Sequence, residues 1–163
     1  MKEKTIYLAG GCFWGIEAYF KTIDGVIDTI VGYANGNRNN TFYELVKITG
    51  HAETVKIKYD EETISLEKLL EYFYYIIDPF SINKQGNDKG SQYRTGIYSK
   101  DQEDLEIART FLEKKQKNEK NKIQVQVEKL KNFVIAEDYH QDYLDKNPNG
   151  YCHINISDKP NLN

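Results

Sequence analysis

Hydrophobic and polar positions along this chain follow two different periods, and segments of the two kinds alternate. Apolar runs and period-two patterns mark strands. The run Thr5-Ile6-Tyr7-Leu8-Ala9 is the first, and Val26 to Tyr33 the second. From Thr54 to Tyr59, the residues Val55, Ile57 and Tyr59 alternate with Lys56 and Lys58. Arg94 to Tyr98 reads as another strand. So does Ile123 to Glu128, where Ile123, Val125 and Val127 alternate with Gln124, Gln126 and Glu128 to give a half-exposed strand. Helical spacing fills the gaps. Phe13 to Lys21 reads as a helix directly after the first strand. Leu66, Leu69, Leu70, Phe73 and Ile77 fall on one helical face, with Ser65 at the N-cap and Asp78-Pro79 as the stop. A third helix spans Asp101 to Lys117. Leu105, Ala108 and Leu112 face inward, acids lead and lysines trail, as the helix dipole favours. A short helix is predicted over Ala136 to Leu144.

Strands that alternate with helices, at least one of them with a wet face, predict an α+β fold. The expected architecture is a two-layer α/β sandwich with helices on one face of a mixed sheet. Its best specific form is a ferredoxin-like plait followed by a long C-terminal coil. Two segments rich in turn formers, 35–40 and 83–91, read as the longest loops, and the tail from Ser157 to Asn163 has little that could build an element. No internal repeat or low-complexity stretch interrupts the chain, and 163 residues fit a single domain over 1–163.

Composition narrows the function. Hydrophobic residues at 39% and charged residues at 29% are ordinary for a globular protein. A formal net charge of −3 argues against a dedicated binder of nucleic acid or acidic membranes. No run is long enough to span a bilayer. Met1-Lys2-Glu3-Lys4-Thr5 runs straight into a strand without an apolar signal segment, so the protein reads as cytoplasmic, or as one that has lost its leader. Two cysteines do not make a disulfide scaffold, and in a reducing cytoplasm such a pair points to catalysis. Thirteen tyrosines are many for this length, and some can supply hydroxyls to a polar site inside an apolar pocket.

The stretch Gly10-Gly11-Cys12-Phe13-Trp14-Gly15 puts a thiol at a strand-to-helix corner. A lone cysteine is ordinarily a small core residue, but a core cysteine needs neither two glycines before it nor two large rings after it. At a helix N-terminus, unpaired N–H groups and the dipole stabilise a thiolate. Phe13 and Trp14 can wall an apolar pocket beside the sulfur. That combination points to sulfur or redox chemistry.

Three further stretches offer polar groups. Gly50-His51-Ala52-Glu53 opens a strand, and a carboxyl at a strand mouth among apolar neighbours has its pKa raised and can serve as a general acid. Taken alone, a solvated strand-end carboxylate explains Glu53 as well. The loop from Gln85 through Asp88 to Tyr93 and Arg94 can aim an amide, a carboxylate and a phenol inward, or be a surface turn; no phosphate-loop pattern follows it. Cys152 lies in a glycine-containing segment near the end of the sequence, as a resolving cysteine requires and as a plain surface thiol also allows. The soft ligands Cys12, Cys152, His51, His140 and His153 lack metal-site spacing, so no metal is predicted, and nothing calls for a cofactor.

Together these pieces resemble the A-type peptide methionine sulfoxide reductases. The resemblance runs from about Thr5 to Ile154 and rests on four motifs in the family's order. They are Gly-Cys-Phe-Trp-Gly at 11–15, Gly-His-Ala-Glu at 50–53, Gln-Gly-Asn-Asp through Gln-Tyr-Arg at 85–94, and Asn-Pro-Asn-Gly-Tyr-Cys at 147–152. The resemblance implies that Cys12 attacks the sulfoxide sulfur, that Phe13 and Trp14 hold the S-methyl group, and that Glu53 protonates the oxygen. Asp88 and Tyr93 would orient the substrate, with Tyr143 and Tyr151 at matching positions near the site. Cys152 would resolve the Cys12 sulfenic acid as a disulfide. The implied substrate is the S epimer of methionine sulfoxide, free or in oxidised proteins. The implied reductant is thioredoxin or a similar dithiol, with no nucleic-acid or membrane partner. Many members carry a tyrosine where this chain has Phe42, with Tyr43 next to it. Either Tyr43 takes that place after a local shift, or one hydroxyl is missing. No third cysteine occurs, so the resemblance implies direct reduction of a Cys12–Cys152 disulfide. The competing readings are a thiol-based sensor or binder of oxidised methionine without turnover, and a peroxidatic thiol enzyme. The latter has no use for a methyl pocket.

Overall fold

A computed structural model describes residues 1–162. Six strands form one mixed sheet in the order β7-β6-β1-β3-β2-β8, where β1 is Glu3–Gly10, β2 Val26–Ala34, β3 Ala52–Asp60, β6 Thr95–Ser99, β7 Gln126–Lys129 and β8 Phe133–Ile135. All neighbours are antiparallel except β6 and β7. Two short strands, β4 (Lys84–Gln85) and β5 (Asp88–Lys89), make a separate hairpin. The helices α1 (Phe13–Lys21), α3 (Leu66–Ile76) and α4 (Gln102–Gln116) pack on the sheet or on one another. Single-turn helices α2 (Val46–Thr49) and α5 (Tyr143–Lys146) lie in the connections.

Side-chain parity sorts the strands into two faces. Ile6 and Leu8 of β1, Val31 and Tyr33 of β2, Val55, Ile57 and Tyr59 of β3, and Ile97 of β6 all belong to the main core with Phe20, Leu69, Leu70 and Phe73 of the helices. Tyr7, Ala9, Ala34, Ala52 and Tyr98 point the other way, into a smaller cluster closed by Leu130 and Phe133. Glu53 shares the parity of Val55, Ile57 and Tyr59. It is therefore the polar end of an apolar row, on the helix-covered face.

Most of the expected elements form where the pattern placed them. Ser65 caps α3 by accepting from the Lys68 N–H at 3.2 Å. Asp101 caps α4, whose acids lead and whose lysines trail; Leu105, Ala108 and Phe111 are buried in it, and Leu112 is half-buried. Two expectations fail, each for a tertiary reason. The strand expected over Ile123 to Glu128 begins at Gln126, because the N–H groups of Ile123 and Gln124 donate to Gln116 and to the Pro79 carbonyl instead of to β6. The helix expected over Ala136 to Leu144 is broken into a 3₁₀ turn at Asp138–His140 and α5. The break is Asp142, in the left-handed region at φ 52°. Before it, the Gln141 side chain bonds both the N–H and the C=O of Val31, at 2.9 Å each, like a partner strand. Those long-range bonds override local helical preference. The sequence pattern also left β8, the β4–β5 hairpin and α2 unmarked.

Leu69 is fully buried between α3 and the sheet. Leu69→Ala should destabilise the fold by about 2–5 kcal/mol, measured by urea denaturation.

Candidate active site

The site sits where β1 ends and β3 begins. These strands are antiparallel with Leu8 opposite Val55, so continuing the register brings the end of β1 beside Glu53. The chain then turns through Gly11 at φ +91°, a conformation suited to glycine, where an added Cβ would come within 2.7 Å of the Gln85 side chain. Gln85 is itself fixed, pairing its amide with the N–H and C=O of Asp78 at 2.9 and 2.8 Å. Cys12 follows as the N-cap residue of α1 and is only 8% exposed.

The first helical N–H, of Phe13, donates to Glu53 at 3.2 Å. Burial drives the Glu53 carboxyl up to about 8, opposed by that N–H and reinforced by the charge of Asp88. Burial, then the facing Glu53 charge, pushes the Cys12 thiol up as well. The Trp14 N–H at the helix N-terminus pulls the other way but is outweighed. The expected thiolate stabilisation is therefore present as a contact, yet desolvation and Glu53 overrule it in this site.

Three tyrosines close in from separate loops. Tyr43 and Tyr93 lie near each other, and both feel the charges of Glu53 and Cys12. Tyr151 donates to Asp88 at 3.1 Å, which pushes its phenol to about 12, after a larger effect of burial. Tyr43, not Phe42, stands beside Cys12 and Glu53; the Phe42 side chain is 49% exposed. Phe13 is buried against Tyr33 and His140, with ring centroids 5.7 and 5.1 Å away. Trp14 is half-buried and stacks on Tyr143 at 3.7 Å and 8°. Cys152 is half-buried, donates to the Ile154 carbonyl at 3.1 Å, and lies over Gly15, where an added Cβ would meet its sulfur at 3.0 Å. Both cysteines are free thiols. No cluster of His, Cys, Asp and Glu suited to a metal occurs among the described residues.

A family model described as peptide methionine sulfoxide reductase matches residues 4–162. The chain belongs to the peptide methionine sulfoxide reductase family. It is thus an oxidoreductase that uses thiols to reduce methionine sulfoxide. Solved structures agree. Reduced Mxr1 from Saccharomyces cerevisiae is 42% identical, covers 93% of this chain and 89% of its own, and has a TM-score of 0.87. Methionine sulfoxide reductase A of Corynebacterium diphtheriae is 34% identical over 93% of this chain and 78% of its own, with a TM-score of 0.86. Mxr1 from Saccharomyces cerevisiae in complex with Trx2 is 31% identical over 87% of this chain and 85% of its own, with a TM-score of 0.63.

Two further residues line the site of this reductase: His140, which the sequence marked only as a possible soft ligand, and Glu137, which it did not mark. His140 accepts from the Trp14 indole N–H at 3.0 Å and packs against Phe13, Tyr43 and Tyr139. Glu137 accepts from the Tyr33 hydroxyl at 2.7 Å and from the Tyr43 N–H at 3.0 Å. The clue was a histidine and a glutamate within the aromatic stretch 136–144, which an amphipathic-helix reading takes for a solvated face.

Glu53 binds its proton more tightly folded than unfolded, so the folded protein carries the extra proton between about 4.5 and about 8, and stability falls as pH rises through that window. Glu53→Gln removes this share of the slope. The variant's stability relative to the parent should therefore increase from pH 5 to pH 8 in urea titrations.

Proposed function

We propose that the chain reduces the S epimer of methionine sulfoxide, free or in oxidised proteins, by a sulfenic acid route. Protonated Glu53 gives its proton to the sulfoxide oxygen while the Cys12 sulfur attacks the sulfoxide sulfur. A bond forms between the two sulfurs as the Cys12 proton passes to the Glu53 carboxylate. The protonated oxygen then moves to the Cys12 sulfur, the substrate's sulfur–oxygen bond and the sulfur–sulfur bond break, and methionine leaves reduced by two electrons with Cys12 as a sulfenic acid. Cys152 then attacks that sulfur, water departs, and a Cys12–Cys152 disulfide forms. An external dithiol returns both to thiols. That the Mxr1 relative has been obtained in complex with Trx2 supports a thioredoxin-type donor. Phe13 and Trp14 take the methyl group, and Tyr43, Tyr93 and Asp88 orient the sulfoxide, with Tyr143 and Tyr151 at the rim.

The observation that carries this reading is the buried Glu53 carboxyl, which accepts from the N–H of the residue after Cys12 and which burial pushes up to about 8. A sulfoxide oxygen leaves only once protonated, so an acid poised near pH 7 next to a thiol suits this reaction. Tyr43 replaces the hydroxyl absent at Phe42, which its place beside Glu53 supports. We also read β1-α1-β2-β3-α3-β6 as a ferredoxin-like plait within one domain. The support is the antiparallel order β6-β1-β3-β2 with β3 between β1 and β2. The enzyme would work in the cytoplasm, where a reducing milieu keeps both cysteines as thiols.

The test is methionine formation from each sulfoxide epimer with excess dithiothreitol. Product should come from the S epimer only and vanish in Cys12→Ser; product from neither epimer would favour a sensor over an enzyme. In Glu53→Gln the rate should fall about 10²-fold or more. Cys152→Ser should release one equivalent of methionine and then stall with thioredoxin; sustained thioredoxin-driven cycling would remove Cys152 from the resolving role.

A further inference from the structure

One face of α1 carries Trp14, Glu17 and Lys21, spaced three and four residues apart, and all three reach the segment 140–145. Trp14 stacks on Tyr143 and donates its indole N–H to His140. Lys21 pairs with Asp142 at 2.5 Å and with Asp145. Between them Glu17 is 2% exposed, among Ile16, Phe20 and the sheet. A carboxyl buried on the apolar side of a helix is destabilising unless its oxygens are used. Both are. One accepts from the Thr29 hydroxyl of β2 at 2.9 Å, and the other accepts from the backbone N–H of Asp142 at 2.8 Å.

Asp142 is the left-handed residue that breaks the expected helix, and the next residue is Tyr143. A non-glycine residue holds that conformation only when its surroundings fix it. The side chain that fixes its backbone is Glu17, which Thr29 in turn anchors to the sheet. None of these atoms touches the sulfur chemistry.

We infer that Glu17 is a positioning residue for the Trp14–Tyr143 wall: by fixing the backbone of Asp142 it sets the ring that stacks on Trp14. Its effect on turnover rests on the proposed role of Trp14 as substrate wall, whereas its effect on the stack does not. The chain contains a single tryptophan, so emission excited selectively from tryptophan reports on the surroundings of Trp14.

The discriminating pair is Glu17→Leu, which fills the space without accepting a bond, and Glu17→Gln, which can accept from Asp142 and donate to the Thr29 oxygen. Burial pushes the Glu17 carboxyl up to about 7, so a neutral amide is a fair substitute. Glu17→Leu should red-shift Trp14 emission, and raise KM for methionine sulfoxide about tenfold with kcat within about twofold. Glu17→Gln should restore both towards the parent. If Glu17→Leu fails to fold, Glu17→Asp takes its place. It keeps the charge but is one methylene too short to span Thr29 and Asp142, and the same directions are expected. Unchanged emission in a folded Leu or Asp variant overturns the inference. Shifted emission with unchanged KM upholds the clamp and removes Trp14 from the substrate site. A Gln variant as impaired as Leu overturns the hydrogen-bonding account.

Discussion

The register between β1 and β3 is the constraint on which the site depends. Strand side chains alternate between faces, so a slip of one residue would turn Glu53 out of the helix-covered face and Ala52 into it. The apolar row Val55, Ile57 and Tyr59 prevents that slip, because it would leave the core with lysines. Hydrophobic burial along the strand thus fixes a carboxyl at its mouth, where desolvation keeps the proton on. The same register delivers Cys12 and the first N–H of α1 to that carboxyl. The contact is made of local pieces, but its geometry is a property of the whole sheet.

Around this point the protein builds its walls from coil, and coil must satisfy its backbone without a ladder. The solution recurs. Gln85 pairs with both backbone groups of Asp78, Gln141 with both of Val31, and Asn132 with both of Gly36. A carboxamide offers a donor and an acceptor spaced much like a peptide unit, so each one stands in for a strand neighbour. The first tie closes the 78–85 loop on itself, and the other two hold the 132–141 segment against β2 and the turn after it. The Gln141 tie also fixes the chain two residues before Tyr143, the ring that stacks on Trp14.

This division decides what could be read from the sequence. β1, α1, β2, β3, α3 and α4 were legible because each carries its own period and caps, and burial reinforces them. From its own neighbours Glu53 read as one of many strand-end carboxyls; the four motifs together singled it out, and the antiparallel register places it next to Cys12. The segment 136–144 was misread as a helix because its conformation is set by Glu17, Val31 and Lys21, all more than 100 residues away. The roles of His140 and Glu137 were missed for the same reason. No local pattern marks a histidine whose ring accepts from Trp14. The choice between Phe42 and Tyr43 also lay beyond the sequence, since it turns on a 3₁₀ turn at Tyr43–Leu45 that leaves both rings partly exposed and brings Tyr43 near Cys12 and Glu53.

Electrostatics also bear on how such a site keeps its thiol. Burial raises Cys12 and Glu53 together, and each charge opposes the other, so the two groups do not ionise at once near neutral pH. A neutral thiol is a weak nucleophile. The burial that keeps the transferable proton on Glu53 therefore also keeps Cys12 quiet until a substrate arrives. On the proposed mechanism a sulfoxide changes both terms. Its oxygen takes the Glu53 proton, and its sulfur receives the electrons of Cys12 as that thiol sheds its own proton. The Trp14 N–H, too weak to generate a thiolate alone, then acts on a sulfur whose charge is already being drawn into a bond.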